Sequence, residues 1–426
     1  MPGRPSGAFR TMVRKEIMAN LVSYKFFIVI LLTSVLIFTS LFVMARDYKS
    51  RLADYQLIRP KPGEPIAVLA PNPLSIFAKG LDEAMTRSFE VNALGIEVRA
   101  GQQSGNAIFA FFPAPDFVYV VKVVLSLVAL LLGFDLVSRE KETGVLRLML
   151  SNPVSRGTVL AGKWLGNYLS LAVPFVLVTL LGFAVMGLDP QIEFGLGGAL
   201  RALLLLSVTL LYIALFLSLG LLVSTLTKKA ASSLIVLLLV WAVAVFVLPN
   251  LGTLLARQMV DVPSVKALSE KRQQIWTREV LLAITEGRGK GAPVWDAARK
   301  AHFDAVNSEF DKLEADYRMK FDKLVRLSKN INRISPAASF VYAATEMAGT
   351  GISEEGFLKD SVVRYKNIVL KEMDRGEKIH AAFAYRYRSV GQVLAQGGLF
   401  DLAWLAVFAI AFFAFAHTAF VRYDVR

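Results

Sequence analysis

Six long apolar stretches limit what this chain can fold into more than any other feature of its sequence. Each is close to the roughly 20 residues that a helix needs to cross the hydrocarbon core of a bilayer, and few charges interrupt them. Charged residues make up only 19% of the chain, against about 25% in soluble domains. The sequence therefore predicts an all-α polytopic membrane protein with six transmembrane helices, at residues 24–44, 117–137, 164–188, 200–223, 230–248 and 400–420.

Basic residues in the short connecting segments set the expected orientation. Lysine and arginine are frequent in residues 1–23 and 138–163, occur as Lys228 and Lys229, and return in the tail 421–426, whereas residues 189–199 contain none. Because cytoplasmic loops are enriched in these residues, we expect both termini in the cytoplasm and a multi-pass location in the cell inner (cytoplasmic) membrane. The net charge of +14 is read as this topology signal first, as contact with the lipid bilayer second, and as nucleic-acid binding last.

Two long segments are then expected on the extracytoplasmic side. Residues 45–116 begin with closely spaced prolines and predict a small irregular or mixed module. Residues 249–398 predict a largely helical domain with a long antiparallel helical hairpin, because apolar residues recur at steps of three and four after the break at residues 287–293 and residues 264–286 before it are a second helix candidate. The simplest interpretation is that the two arms pack on each other, and the alternative is that the hairpin docks an extracytoplasmic partner. The apolar positions of the longer arm are Phe303, Val306, Phe310, Leu313, Tyr317, Phe321, Leu324, Leu327 and Ile331.

Two segments on the expected cytoplasmic side have helical patterns. Residues 1–23 predict an amphipathic helix along the membrane surface, with a plain basic tail as the alternative. Residues 138–163 predict a helix, a break at Asn152-Pro153 and a second helix, with Ser138 and Ser155 as caps. A transmitter of force would need such a rigid element, although from these residues alone it could be any charged loop. The pair Gly162 and Gly166 would allow a close helix approach.

The chemistry of sites is sparse. There is no cysteine, and the scattered His302, His380 and His417 make a histidine metal site improbable. The stretch 157–163 resembles a phosphate-binding loop, but Trp164 stands where a hydroxyl should hold Mg²⁺, and a membrane span follows. We therefore expect no catalytic residue, metal or cofactor site on this chain, so that any ATP hydrolysis must come from another polypeptide.

The segment after the second span resembles that of ABC-2 type ABC-transporter permeases. The resemblance extends to the preceding amphipathic helix, the six spans, the Ser335-Pro336 segment and the closing residues 422–426, and it is nearest to the permeases with enlarged outer loops, such as subunits of gliding-motility and nitrous-oxide-reductase maturation systems. The positions that carry it are Glu142-Thr-Gly144, Leu146, Leu148 to Leu150, Ser151-Asn-Pro153, Ser155-Arg156 and Gly162-Lys163.

This resemblance implies a non-catalytic permease subunit that pairs with a second permease, identical or not, above two cytosolic ABC ATPases that hold the ATP and Mg²⁺. It implies ATPase-coupling residues at Arg139, Glu140, Glu142, Gly144, Arg147, Ser151, Pro153 and Arg156, and interface-helix residues at Phe9, Arg10, Val13 and Arg14. Export of a substrate is the first hypothesis. An ATPase-driven mechanotransmission or scaffold subunit is the alternative, and a secondary transporter is disfavoured because the span centres are almost free of ionisable residues.

Overall fold

The computed structural model describes residues 5–61, 63–86, 88–92, 95–99, 115–151, 154–287, 294–375, 379–380 and 382–423. Helices dominate this part of the chain, and six of them are long and apolar enough to cross a membrane. The predicted all-α class with six spans is thereby confirmed.

The chain begins with helix α1 (Pro5–Leu21) and the first spanning helix, α2 (Tyr24–Ile58). The apolar part of α2 is near the predicted span, but the helix continues well past residue 44. No proline or glycine occurs between Ala45 and Ile58, so nothing in the sequence ends the helix there. The added turns carry charged side chains, and Lys49 pairs with Asp189.

The second span, α3 (Phe117–Glu142), leads into the short helix α4 (Val145–Leu150) through Gly144, whose φ of 76° lies in the left-handed region that glycine favours. The predicted cap at Ser138 is wrong. Helical structure continues to this residue from the preceding turn, and its hydroxyl donates to the carbonyl of Phe134 instead. The parts of α3 are Phe117–Val120, a wide π turn at Val121–Leu125, then Ser126–Gly133 and Ser138–Glu142.

Three further spans follow: α5 (Arg156–Gly187), α6 (Leu196–Leu226) and α7 (Ala230–Met259). The predicted cap of α5 is confirmed, because the side chain of Ser155 accepts from the backbone N–H of Thr158. Helix α6 is the most buried span and forms the centre of the bundle. Helix α7 runs beyond residue 248, and its parts are Ala230–Ala242, a π turn at Val243–Val247, and Leu248–Met259.

The remaining helices are α8 (Val265–Gly287), α9 (Val294–Asn332), α10 (Pro336–Ala348), α11 (Ile352–Asp374) and the last span, α12 (Val390–Val421). Helices α8 and α9 pack side by side in opposite directions, and we call them the arm. Arg278 lies 2.6 Å from Glu309, and Arg272 stacks over the ring of Phe310. The 39 residues of α9 make it about 58 Å long. Helix α12 consists of Val390–Val393, a π turn at Leu394–Gly398, and Leu399–Val421.

A small antiparallel sheet lies between α2 and α3 in the chain, with strands β1 (Ile66–Ala67), β2 (Ser88–Asn92) and β3 (Gly95–Arg99) in that order. Helical turns at Pro73–Ile76 and Asp82–Met85 separate β1 from β2. One face of this module packs on α11 in a separate apolar cluster of Ala67, Leu69, Met85, Val91, Leu358, Val362, Tyr365 and Val369. The segment 45–116 thus contains a mixed module that needs a distant helix to bury it.

The π turns leave backbone carbonyls that neighbouring side chains satisfy. In α3, the carbonyl of Lys122 accepts hydrogen bonds from Tyr212 at 3.1 Å and Ser126 at 2.6 Å. In α7, the carbonyl of Ala244 accepts from Ser335 at 2.6 Å. Helix α10, which begins after Ser335, is therefore held against α7, and it also packs on the central helix through stacked rings.

Candidate functional site

Helix α1, the end of α12 and two short connections meet at one end of the apolar bundle, which we call the termini end. Arg156, at the start of α5, donates to the carbonyls of Val421 and Tyr423 at 2.7 and 2.8 Å. The backbone N–H of Ala230, at the start of α7, donates to Glu142 at 3.1 Å. The opposite end carries the sheet, and we call it the sheet end.

A single lysine joins three elements at the termini end. The Nζ atom of Lys163 lies 2.6 Å from Glu140 of α3 and 3.3 Å from Glu16 of α1, and only 3% of its side chain is exposed. Asn167, one turn further along α5, accepts a hydrogen bond of 2.8 Å from Asn20. A buried lysine needs such partners, since an unpaired charge in this place would be very costly.

Two more charged side chains of α3 fix the ends of other spans. Lys141 donates to the carbonyls of Thr225 and Thr227 at the end of α6, and its Nζ lies 4.4 Å from the ring centre of Tyr423. Glu142 accepts from the start of α7, as described above. A cation at helix carbonyls and a carboxylate at helix N–H groups both oppose the partial charges of the helix ends. The end of α3 is therefore attached to α6 and α7 as well as to α5.

The outer side of the same segment remains exposed. We call it the α3–α4 surface, and it consists of Arg139, Glu142, Gly144, Val145, Arg147, Leu148 and Ser151. Leu148 is 72% exposed and Val145 is 43% exposed, whereas Leu146 between them is 1% exposed and anchors α4 in the core. Leu148 and Val145 thus place apolar surface among the charged side chains of this segment.

The structure divides the predicted coupling residues into two groups. Arg139, Glu142, Gly144, Arg147 and Ser151 belong to the α3–α4 surface. Glu140 and Arg156 point inward instead and hold the segment in place, through Lys163 and the end of α12. Pro153 lies outside the described residues. The sequence missed Lys163 and Lys141 as anchors, and the signal for them was weak: each is one charge among several in a basic segment.

The predicted interface-helix residues also take two positions. Phe9 and Val13 are half-buried, whereas Arg10 and Arg14 are exposed. One face of α1 lies along the start of α5, and the predicted pair Gly162 and Gly166 lies at this contact. A Cβ at Gly162 would lie 2.8 Å from Met12, and one at Gly166 would lie 2.6 Å from Glu16. Larger residues at these two positions would force α1 away from α5.

The sheet end has a second buried ionic network that the sequence did not indicate. Arg388 donates to Glu354 at 2.8 Å and to Glu346 at 3.0 Å, and its carbonyl accepts from Arg201 at the start of α6. Tyr385 donates to Glu354 at 2.7 Å. Burial, together with this carboxylate, raises the pKa of the Tyr385 hydroxyl.

The same network continues to the arm. Asp401 of α12 lies 2.6 Å from Arg333 and 3.3 Å from Lys329, both near the end of α9, and Lys329 also lies 3.6 Å from Glu346. Thr253 of α7 and Ser328 of α9 are hydrogen-bonded at 3.2 Å. The base of the arm is therefore attached to two spans. Within the described residues, no group of three or more His, Cys, Asp or Glu side chains is placed to hold a metal ion.

Taken together, the spans and the two ionic networks define a polytopic membrane protein whose α3–α4 segment is exposed on one side and attached to α1, α5, α6 and α7 on the other. A family model described as ABC-2 family transporter protein matches residues 13–425. The chain belongs to this family.

Two curated relatives are similar to part of the chain. The Probable ABC transporter permease protein NosY of Pseudomonas aeruginosa is 34% identical over 117 residues, which are 26% of this chain and 41% of that protein. The protein of the same name from Stutzerimonas stutzeri is 36% identical over 107 residues, which are 25% of this chain and 37% of that protein. The match thus spans less than half the length of either relative. The family match and the two relatives together support the conclusion that this chain is a membrane permease subunit of an ABC transporter.

Proposed function

We propose that this permease subunit exports a substrate across the cytoplasmic membrane, using ATP that is hydrolysed with Mg²⁺ on two separate cytosolic ATPase subunits. The observation that carries the proposal is the α3–α4 surface, which is exposed on its outer side and bound to α1, α5, α6 and α7 on its inner side. A force applied to this surface reaches several spans at once. A loop without those attachments would absorb the force instead.

The proposal places the termini end in the cytoplasm. Its support is the distribution of basic residues: Arg10, Arg14, Arg139, Lys228 and Lys229 all lie at this end. The sheet, the arm and α11 then lie on the extracytoplasmic side. The protein is accordingly a multi-pass protein of the inner membrane with both termini inside.

The contacts support a route for the coupling step. When the ATPases close on ATP, they press on Val145 and Leu148, and α4 transfers the load to the end of α3. Glu140 passes it to Lys163 and so to α5 and α1, while Lys141 and Glu142 pass it to α6 and α7. The path between two permease protomers, identical or not, changes as these helices move together. Spans α2 and α7 keep large apolar surfaces exposed, which a second protomer and lipid would cover.

Co-purification with the ATPase tests the docking step. We expect Leu148→Glu, Glu142→Lys and Arg147→Glu each to reduce ATPase binding at least tenfold and to abolish coupled ATP hydrolysis, while the permease still folds in the membrane. The matched control is Lys266→Glu on α8 of the arm, whose side chain is 87% exposed and lies outside the α3–α4 surface. Unchanged binding and hydrolysis in all three surface variants would contradict the proposal.

A second function is favoured by how the arm is mounted. Helix α7 continues from the membrane to the base of α9, and Asp401 ties α9 to α12. A tilt of about 10° at the base would move the tip of a 58 Å helix by about 10 Å. The chain then transmits ATPase strokes to an extracytoplasmic partner on the arm without transport. Spin labels on the two arms of a reconstituted dimer distinguish the cases, because only this alternative combines ATP-dependent tip movement with no ATP-dependent movement of any candidate substrate.

A further inference from the structure

Helix α1 separates its charges between two faces. Its only acidic residue, Glu16, points toward α5 and is occupied by Lys163. Its basic residues Arg10, Arg14 and Lys15 are all exposed. The free face of α1 therefore presents positive charge without any compensating carboxylate of its own.

The second half of the helix is apolar on the outside. Met18 and Leu21 are 50% and 56% exposed, and Val22, just after the helix, is 80% exposed. Arg10, Arg14 and Leu21 follow at steps of four and seven, so they share one face of the helix. Along this face, basic side chains are followed by apolar ones in the direction of the first span.

The contacts with α5 show how these two halves are placed along the bundle. Met12 meets α5 at Gly162, near its start, whereas Asn20 meets it at Asn167 and Ser170, about two turns further into the span. The basic half thus lies at the entrance of the third span, and the apolar half lies deeper. Only two residues separate Leu21 from Tyr24, so the end of α1 lies within about 10 Å of the start of the first span.

We propose that the free face of α1 is a binding site for the headgroups of anionic phospholipids. The guanidinium groups of Arg10 and Arg14 and the ammonium group of Lys15 contact lipid phosphates, and Met18, Leu21 and Val22 contact the acyl chains. Three basic residues near an anionic surface correspond to roughly a hundredfold in affinity over a neutral lipid. This site does not depend on an ATPase partner.

The absence of cysteine makes a single-site probe simple. An environment-sensitive dye is attached at Thr11→Cys, an exposed position on α1, in the full-length chain in detergent. Short-chain phosphatidylglycerol is then titrated in, with short-chain phosphatidylcholine and inorganic phosphate in parallel. We expect a saturable change with phosphatidylglycerol only, and a midpoint at least tenfold higher when Arg10→Gln, Arg14→Gln and Lys15→Gln are combined.

The controls separate this site from general charge effects. The triple variant Lys266→Gln, Lys271→Gln and Lys312→Gln removes the same charge from the arm and should leave the phosphatidylglycerol midpoint unchanged. The double variant Arg10→Lys and Arg14→Lys keeps the charge of α1, so its midpoint should stay within threefold of the wild-type value. An unchanged midpoint in the α1 triple variant would overturn the proposal. So would an equal response to inorganic phosphate, which would indicate a site for free anions rather than for lipid.

Discussion

The ammonium group of Lys163 lies 2.6 Å from the carboxylate of Glu140, and this pair joins the third span to the end of the second. Glu140 is only 15% exposed and one of its oxygens has no hydrogen-bond partner within the described residues. The lysine is thus the main compensation for a largely buried carboxylate. Because Glu16 shares the same ammonium group, the position of α1 depends on it as well.

Replacing this lysine should therefore destabilise the termini end strongly. Lys163→Met leaves Glu16 and Glu140 without their cation, and loss of one partner of a buried pair costs on the order of 3–5 kcal/mol. We expect a clear decrease in the thermal unfolding temperature of the purified protein. Combining it with Glu16→Gln and Glu140→Gln should recover much of the loss. A triple variant no more stable than Lys163→Met would show that the lysine acts in another way.

Two neighbouring leucines of α4 should have opposite effects. Leu146 is 1% exposed, so Leu146→Ala should lower stability by about 2–4 kcal/mol through the cavity it leaves. Leu148 is 72% exposed, so Leu148→Ala should change stability by less than about 0.5 kcal/mol yet weaken ATPase binding. Unfolding and co-purification are measured on the same preparations. Equal loss of stability in both variants would argue against a role of the exposed Leu148 side chain in binding a partner.

Helices α3 and α6 touch at a pair of glycines, and this contact gives a packing prediction. A Cβ at Gly133 would lie 2.9 Å from the Cα of Gly220, and a Cβ at Gly220 would lie 2.9 Å from the Cα of Gly133. Gly133→Ala and Gly220→Ala should each destabilise the bundle by about 1–3 kcal/mol, because backbone atoms on both sides must shift. Gly187→Ala is the control, since a Cβ at this position would meet no atom within 4 Å. Thermal unfolding of the three variants in one detergent tests this prediction, because the first two should unfold at a lower temperature than Gly187→Ala.

The sequence predicted features that depend on neighbouring residues better than features that depend on residues far apart in the chain. Spans and the Ser155 cap follow from local hydrophobicity and from a hydroxyl next to free N–H groups, and both were correct. Local rules also failed where tertiary structure continued a helix: α7 runs through Pro249 to Met259, directly after a π turn at Val243–Val247. Composition within one segment does not reveal such a turn.

The long-range polar contacts were beyond sequence reasoning for a different reason. Glu16 and Lys163 are 147 positions apart, and Arg201 and Arg388 are 187 apart, so only the packed bundle brings them together. The predicted coupling residues were identified by resemblance, which does not distinguish a side chain that faces a partner from one that anchors the segment. Glu140 and Arg156 show this limit, since both point into the protein.

The packing of the arm should depend on pH. The Nδ1 atom of His302 on α9 lies 3.2 Å from Glu279 on α8, and this hydrogen bond is the main cause that lowers the pKa of the Glu279 carboxyl below its usual value. A lowered pKa in the folded state means that ionised Glu279 stabilises the packing above the pKa of the unfolded chain, which is about 4.3. The contribution is lost as the pH falls through the folded-state value.

Spin labels at Gln274→Cys and Ser308→Cys, both on exposed positions of the arm, measure this directly. We expect one narrow distance distribution at pH 6 and a broader one at a pH below the lowered pKa of Glu279, where the carboxylate becomes protonated. Glu279→Gln should give the broader distribution at both pH values, because it removes the ionised form. His302→Gln can still donate a hydrogen bond but carries no positive charge, so it should move the transition to higher pH. A wild-type distribution that stays narrow down to pH 3 would show that the apolar stripe of α9 holds the arm together without this pair.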